Sequence, residues 1–501
     1  MNYPLFPSLL EEKKPDDSFN EFSILGFFGR LNYTYKERYL LELSGRADAS
    51  SKFPRGSRWG FFPSASVGWR IMEEPFMESL REYIPEFKIR ASYGEVGNQN
   101  ISAYAFIPSM GSYRSSWLHD NQQPITLYSP DIVSNSFTWE RVQSFNIGFD
   151  LSLLNNRLSA NFDYFCRYTK DMLTDGVELP NVLGTGAPLQ NVANLKSKGF
   201  ELEMNWRDRI GDIAYSIGFN LYDYKSFITK FDNEAGLISS HYKGERLGSI
   251  WGYVTDRYYT VDDFIEGSLD ADLKNGKLKE GIPHVEGIKP NPGDILYKDL
   301  DGNGIINAGK STLDDPGDRT IIGNNQLRLQ YGVNGSINWK GIGFSFMLQG
   351  VGKTDKYLSH DLAFPYYYEF GTIYKHQLDY WTPQNTNCEF PRLYQTGTRN
   401  SNYSANIRTQ TKYLTNGAYM RVKNLTLAYT FSNELIKHFG ISNLRIYATG
   451  ENLFTFDHLP KGLDPTLSNK GGGMGYPFMK SYSFGLSINL IIFERIEIMK
   501  I

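Results

Sequence analysis

The run from Asp299 to Asn307 places Asp299, Asp301, Asn303 and Asn307 at the first, third, fifth and ninth positions of an EF-hand-like loop. Ile305 at the seventh position offers its main-chain carbonyl, and Gly304 at the sixth allows the sharp turn. Calcium takes clustered hard oxygen donors of this kind. The twelfth position is Lys310, so the usual bidentate Glu is missing, and Asp314, Asp315 or Asp318 would have to replace it. The competing reading is a Gly-rich turn that holds no metal. No other cofactor is required by anything in the sequence.

A second group could bind organic ligands. Tyr113, Trp117, Tyr366, Tyr367, Tyr368 and Trp381 fall in stretches without regular pattern. Aromatic faces there can stack on sugar rings or contact peptides, while the bland alternative is loop packing or an interfacial girdle. Catalytic signals are weak. The 7 His are dispersed, with no His-Glu-x-x-His helix and no Gly-x-Ser-x-Gly elbow. Gly471–Gly475 lacks the Lys-Ser/Thr of a phosphate loop, so no enzyme is expected. A net charge of -3 gives no reason to expect nucleic acid as a partner. Two cysteines, Cys166 and Cys388, make no disulfide framework.

The elements that must position these residues are strands. Phe27, Gly29, Leu31, Tyr33 and Tyr35 share one parity, and Phe28, Arg30, Asn32 and Thr34 the other. The alternation resumes from Tyr39 to Asp48 and again from Trp59 to Ile71. It returns around Phe87–Tyr93, Phe145–Leu153, Leu158–Tyr164, Phe200–Trp206, Ile213–Leu221, Leu327–Trp339, Ile342–Leu348, Leu425–Phe431, Leu444–Ala448 and Tyr482–Leu490. Strict alternation marks a strand with one apolar and one polar face. Runs of about ten residues suit a tilted bilayer crossing. Pro63 interrupts the third run and predicts a bulge or a rim position. Asn155-Asn156, Gly211-Asp212 and Lys340-Gly341 read as tight turns.

Short turns alternate with long loops at about 97–137, 230–325 and 351–413. That layout, with 34 Tyr, 33 Phe and 47 Gly, fits an all-β antiparallel transmembrane barrel with aromatic girdles. Arg30, Arg46, Arg70, Lys88 and Arg90, on the polar parity, would line its lumen. A soluble or surface-attached β-rich glycan-binding protein is the alternative, since a sandwich shows the same local pattern. The barrel region spans 21–490. Before it, residues 1–20 form a polar segment without the features of a signal peptide.

Several longer stretches resemble one family. Gly29–Asp48 (GRLNYTYKERYLLELSGRAD), Arg58–Arg70 (RWGFFPSASVGWR), Phe87–Gly94 (FKIRASYG) with Gly97-Asn98, Gly293–Asp299 (GDILYKD) through Asp318–Gly323 (DRTIIG), and Gly450–Phe454 (GENLF) are similar to the barrel of SusC/RagA-type TonB-linked outer-membrane transporters. The resemblance runs along nearly the whole chain. It implies an importer of oligosaccharides or peptides, capped by a SusD-type surface lipoprotein and energised by TonB through an N-terminal plug. It also implies about 22 barrel strands, of which about thirteen are recognised, with the plug and early strands absent. The expectation is therefore a partial barrel in the outer-membrane lipid: the C-terminal part of an importer, or a non-functional truncated one. Residues 491–501 run past the family's usual end as an atypical extension, with Phe493 a candidate terminal aromatic.

Overall fold

The thirteen alternating runs become one 13-stranded antiparallel sheet in the computed structural model, with strands ordered along the sheet as along the chain. The structure describes residues 20–490, apart from 131, 135–136, 176–181, 183, 185, 368–370, 395–399 and 468–477. Residues 1–19, Tyr368, Gly471–Gly475 and 491–501 thus lie outside the described residues. The strands are β1 (Ile24–Tyr35), β2 (Tyr39–Ser50), β3 (Trp59–Arg70), β4 (Glu86–Asn98), β5 (Glu140–Leu153), β6 (Leu158–Asp175) and β7 (Leu189–Ile210). They continue with β8 (Ile213–Lys230), β9 (Arg328–Trp339), β10 (Ile342–Lys353), β11 (Tyr419–Thr430), β12 (Ile441–Asp457) and β13 (Ser481–Leu490). Among the described residues β1 and β13 are the two edges of the sheet.

Local chemistry sets the hairpins. Lys340 and Gly341 both take positive φ, 45° and 87°, and Trp339 pairs with Ile342 across them. Two successive positive φ values give the turn whose twist matches the flanking strands. Between β5 and β6 the closing pair is Leu153 and Leu158, and Leu154, Asn155 and Asn156 take positive φ, 54°, 55° and 64°, a region Asn tolerates well. All such short turns lie at one end of the sheet. The long connections 99–139, 231–327 and 354–418 lie at the other. Pro63 pairs with Gly45 of β2, but the β3–β4 ladder starts only at Ser64. The proline therefore sits where β3 has no partner on its second side, and its missing N–H breaks no β4 bond.

Four strands run far beyond the expected ten or so residues: β6 has 18, β7 has 22, β8 has 18 and β12 has 17. At about 3.3 Å per residue, β7 is roughly 70 Å long. About 9–11 residues suffice to cross a bilayer, so this part of the wall projects beyond it on the long-loop side.

The apolar parity stays uncovered. Phe484 is 86% exposed and Leu427 58%, and no second sheet packs on this face among the described residues. In a soluble sandwich the same side chains would be the core. Their exposure across a single broad sheet is the signature of a lipid-facing wall, and it sets the soluble alternative aside. Buried apolar cores lie instead in the long connections. Tyr253, Ile295, Tyr297, Ile306, Phe364 and Tyr403 belong to one cluster drawn from 231–327 and 354–418. Phe53, Phe62, Phe137 and Trp139 form another where the β2–β3 and β4–β5 connections meet.

Candidate functional site

The inner wall carries charge in a cross-linked form. Lys88 and Arg90 lie on the polar parity of β4. Lys88 Nζ is 3.3 Å from Asp150 Oδ2, and Arg90 Nε donates to Asp150 Oδ1 at 3.1 Å. The Arg90 guanidinium then reaches past β5 and grips both oxygens of Asp163 on β6, each at 2.6 Å. Gly148 of β5 pairs with Arg90 on one side and Asp163 on the other. A Cβ there would meet the Phe162 carbonyl and lie 2.6 Å from Asp163 Oδ1, so only glycine fits between the ladder and the guanidinium's path. A bidentate pair of this kind is among the stronger charge-assisted hydrogen bonds. Hydroxyl pairs join other strands on the same face: Ser44 with Ser64 at 2.6 Å, Ser197 with Ser226 at 2.7 Å, and Ser216 with Ser336 at 2.8 Å.

Aromatic side chains also occupy the polar parity. Phe165 stacks on Tyr222 with centroids 6.1 Å apart, and Tyr222 lies 5.3 Å from Tyr224. Beside them opens a cavity of about 700 Å³, lined by Asn161, Glu201, Glu203, Asn220, Tyr222 and Gln330 among others. The wall thus offers carboxylates, amides and ring faces to whatever fills the lumen. Reading the alternation strictly passes over Phe165, Tyr222 and Tyr224. Their shared parity with Asp163 and Asn220 is the signal that marks them.

At the long-loop end, Asp294 joins the two largest connections. Its Oδ1 accepts from Tyr394 Oη and from Asn406 Nδ2, each at 2.8 Å. Its Oδ2 accepts from the Asn291 N–H and Asn402 Nδ2, each at 2.8 Å, and from Tyr394 at 2.9 Å. Burial pushes the Asp294 carboxyl above its ordinary value, and the bonds from Asn406, Asn402, Asn291 and Tyr394 offset part of that rise. Two other buried tyrosines cap carbonyls: Tyr297 donates to Ala405 O at 2.6 Å and Tyr403 to Pro365 O at 2.6 Å.

The aromatic candidates fall on different loops. Tyr113 stacks on Tyr128 at 4.3 Å, and Trp117 is 65% exposed; both belong to 99–139. Tyr367 packs on Phe364 and edge-on to His360, and Tyr366 is half-buried with φ 55°. Trp381 is only 5% exposed. Its indole lies against Gly293, with the Arg392 guanidinium 5.7 Å from the ring centroid. Trp381 is therefore a packing residue of the loop body, without an open face for stacking on a ligand. The exposed face of Trp117 is free for such contact.

The acidic loop closes on itself through its main chain. Asp299 accepts from the N–H groups of Gly302 at 2.7 Å and Gly304 at 2.8 Å. Those bonds, with Gly304 first, hold its carboxyl below the ordinary range. Asp301 accepts from Asn303, Asn303 Oδ1 from the Ile305 N–H, and Asn307 Oδ1 from the Gly309 N–H. Asp318 is fully buried and accepts from Leu300 N and Asn307 N, both at 2.8 Å. Carboxylate oxygens of Asp299, Asp301 and Asp318 lie within 4.8 Å of one another. Of the three residues that could replace the Glu missing at Lys310, it is Asp318 that joins the group. Asp315 instead packs against Gly309.

Comparison with known proteins agrees with this architecture. Residues 2–275 match the family model described as TonB dependent receptor-like, beta-barrel. The chain is 29% identical over 506 residues to TonB-dependent receptor P3 of Formosa agariphila, covering 95% of this chain and 46% of that protein. It is 27% identical over 491 residues to TonB-dependent receptor SusC of Bacteroides thetaiotaomicron, covering 93% of this chain and 44% of that protein. Among solved structures, the RagAB peptide transporter superposes with a TM-score of 0.71 at 22% identity, over 93% of this chain and 47% of that one. The chain spans about half the length of the curated relatives it matches.

Proposed function

Because the chain belongs to the TonB-dependent receptor-like β-barrel family, in its SusC/RagA type, we propose that it is barrel wall of an outer-membrane importer of oligosaccharides or peptides. It works there with a SusD-type lid lipoprotein, and TonB supplies energy through a plug. One observation supports the reading above others. A 13-stranded antiparallel sheet presents apolar side chains outward while its inner face carries the Lys88–Arg90–Asp150–Asp163 network. An apolar face left uncovered opposite a charged one suits a barrel wall in lipid. The work of such a wall is to bind and orient cargo and to exclude lipid, and no group on it need act as an acid, base or nucleophile. Trp117 and Tyr113, on loop 99–139, are the aromatics proposed to meet cargo. Tyr366 and Tyr367 shape the neighbouring loop body.

Calcium belongs to the same proposal. Asp299, Asp301, Asp318, Asn303, Asn307 and the Ile305 carbonyl would hold the ion. Three carboxylates lie together, and the donors shown for them among the described residues are main-chain N–H groups and the Asn303 amide, none of them cationic. A hard dication would relieve that repulsion and brace the loop.

The test is affinity isolation of the tagged chain from outer membranes, with uptake of fluorescent oligosaccharide and peptide pools by cells with and without the gene. A stoichiometric lipoprotein partner and gene-dependent uptake of one pool are expected. Uptake unaltered by deletion would refute the importer reading.

A further inference from the structure

The connection between β3 and β4 leaves the wall on its lipid side. Tyr39 and Trp69 stand on the outward parity and stack with centroids 6.5 Å apart, and Tyr35 stacks on Tyr39 at 6.3 Å. Glu74 is seated on this row. It accepts from Tyr39 Oη at 2.6 Å, from Trp69 Nε1 at 3.0 Å and from Arg38 at 3.3 Å. A carboxylate with three donors, one of them cationic, is tolerable at a membrane boundary. From that anchor Pro75–Leu80 forms a short 3-10 turn. Phe76, Leu80 and Tyr83 are 66%, 42% and 62% exposed, although Ile71 and Met72 just before them are buried. The Leu154 N–H bonds Tyr83 O at 2.8 Å, so the segment is also pinned to the β5–β6 turn.

Large apolar side chains exposed together mark a contact surface. This one continues an aromatic row of the lipid-facing wall, at the end where the short turns lie. Its polar residues are mainly acidic: Glu73, Glu78 and Glu82 accompany Glu74, against Arg81, which pairs with Glu73 at 2.8 Å. Glu78 and Glu82 are exposed.

We propose that Pro75–Tyr83 is an interfacial foot that binds a phospholipid surface whose headgroups carry an ammonium group. Phe76, Leu80 and Tyr83 enter the boundary between headgroups and acyl chains, as the apolar face of a monotopic segment does. Glu78 and Glu82 face the headgroup ammoniums, and an anionic surface is disfavoured by the same charges. The foot fixes the depth of the wall in the bilayer at its short-turn end. This inference rests on the outer-membrane placement of the sheet.

The experiment uses the full chain, purified from outer membranes and reconstituted into phosphatidylethanolamine or phosphatidylglycerol vesicles. In a Cys166→Ala/Cys388→Ala background, nitroxide labels are placed at Leu80→Cys, at Glu78→Cys and, on the outer face of β11, at Leu427→Cys. Accessibility to oxygen and to a soluble nickel chelate is read for each. The expected result in phosphatidylethanolamine is an oxygen-to-nickel ratio at position 80 severalfold above that at 78 and close to that at 427. In phosphatidylglycerol the ratio at 80 falls. Equal ratios at 80 and 78 put the foot in water and overturn it. Low access to both reagents at 80 means a protein surface covers it, which also overturns it. The same ratio in both lipids removes the ammonium assignment. A watery reading at 427 brings down the membrane placement itself, and the foot with it. Should the cysteine-free parent fail to insert, Leu80→Trp in the native background gives the same decision through quenching by brominated lipids.

Discussion

Replacing Asp294 by Ala should detach the loop body while leaving the wall intact. The carboxylate is the sole acceptor shown for the Asn291 N–H and for Asn406 Nδ2, it accepts from the Tyr394 hydroxyl, and it shares Asn402 Nδ2 with Lys289 O. Truncation orphans three donors, since Asn402 Nδ2 keeps Lys289 O at 2.8 Å and its loss is small. All three are buried, and each orphaned buried donor costs about 1–3 kcal/mol. Water entering the vacated space lowers the charge per donor to the bottom of that range, giving roughly 3–5 kcal/mol. Every 1.4 kcal/mol is about tenfold in an opening equilibrium, so amides near residues 289–297 and 400–410 should exchange hydrogen on the order of a thousand times faster. Hydrogen exchange read by mass spectrometry on the membrane-embedded chain measures this. Peptides from β4–β6 should keep their protection, because local opening of one unit does not require the rest to open. Unchanged exchange in both loop segments would refute the assignment of Asp294 as the joint, and equal loss in the strands would show that the loops and wall unfold as one.

The sign of the pH effect follows from the same group. The folded carboxyl is held above its ordinary value by burial. Asp294 therefore contributes most below the unfolded range of about 4, and the contribution is lost as pH rises from there through the raised folded value. Loop-body exchange, taken relative to the intrinsic rate of each amide at that pH, should quicken over that window and level off above it. Asp294→Asn should flatten the dependence while costing less than the Ala change, since one acceptor oxygen remains.

Three further outcomes are expected. Calcium, and not magnesium, should raise the melting temperature of the loop body by an amount equivalent to about 2.7 kcal/mol at a hundredfold excess over Kd; a calcium shift that survives Asp318→Asn together with Asp301→Ala would remove those ligands from the site. Arg90→Met should destabilise the wall by about 1–3 kcal/mol in urea, and a double-mutant cycle with Asp163→Asn should show coupling; additive effects would mean that the bidentate pair is idle. Gly293→Ala should cost roughly 2 kcal/mol or more, because φ is 91° and the new methyl meets the Trp381 indole; native resistance of the 379–394 segment to proteolysis in that variant would disprove the fit.

The strands were legible because lipid and lumen impose opposite demands at every second residue. Where those demands stop, so does the signal. Leu189–Lys198 belongs to β7 yet shows no alternation, since both of its faces lie above the lipid and neither must be apolar. The loop body was illegible for a related reason. Asp294, Asn291, Tyr394, Asn402 and Asn406 are brought together from positions over a hundred residues apart, and no period links them. The acidic loop lies between these cases. The spacing of its oxygen donors is a local property and could be read, but the approach of Asp318 to Asp299 and Asp301 depends on a chain reversal that spacing does not encode.

The inner wall shows why parity alone undersells a barrel. Taken singly, Lys88, Arg90, Asp150 and Asp163 are polar residues on the polar face, and a solvated lining accounts for each. The register adds what parity lacks. Once the Asn155-Asn156 turn fixes β5 against β6, Gly148 must face Asp163, and the β4–β5 ladder puts Arg90 on its other side. A cation and a carboxylate then stand two strands apart with no side chain between them. That arrangement makes a missing Cβ on the middle strand informative. A glycine on the polar parity, flanked across both ladders by opposite charges, marks a guanidinium bridge and not a weak point in the strand. A Gly148→Ala variant should therefore lose the coupling between Arg90 and Asp163 while every charged residue remains. If the double-mutant coupling in that background matches the native value, the glycine has no such role and the bridge forms by another route.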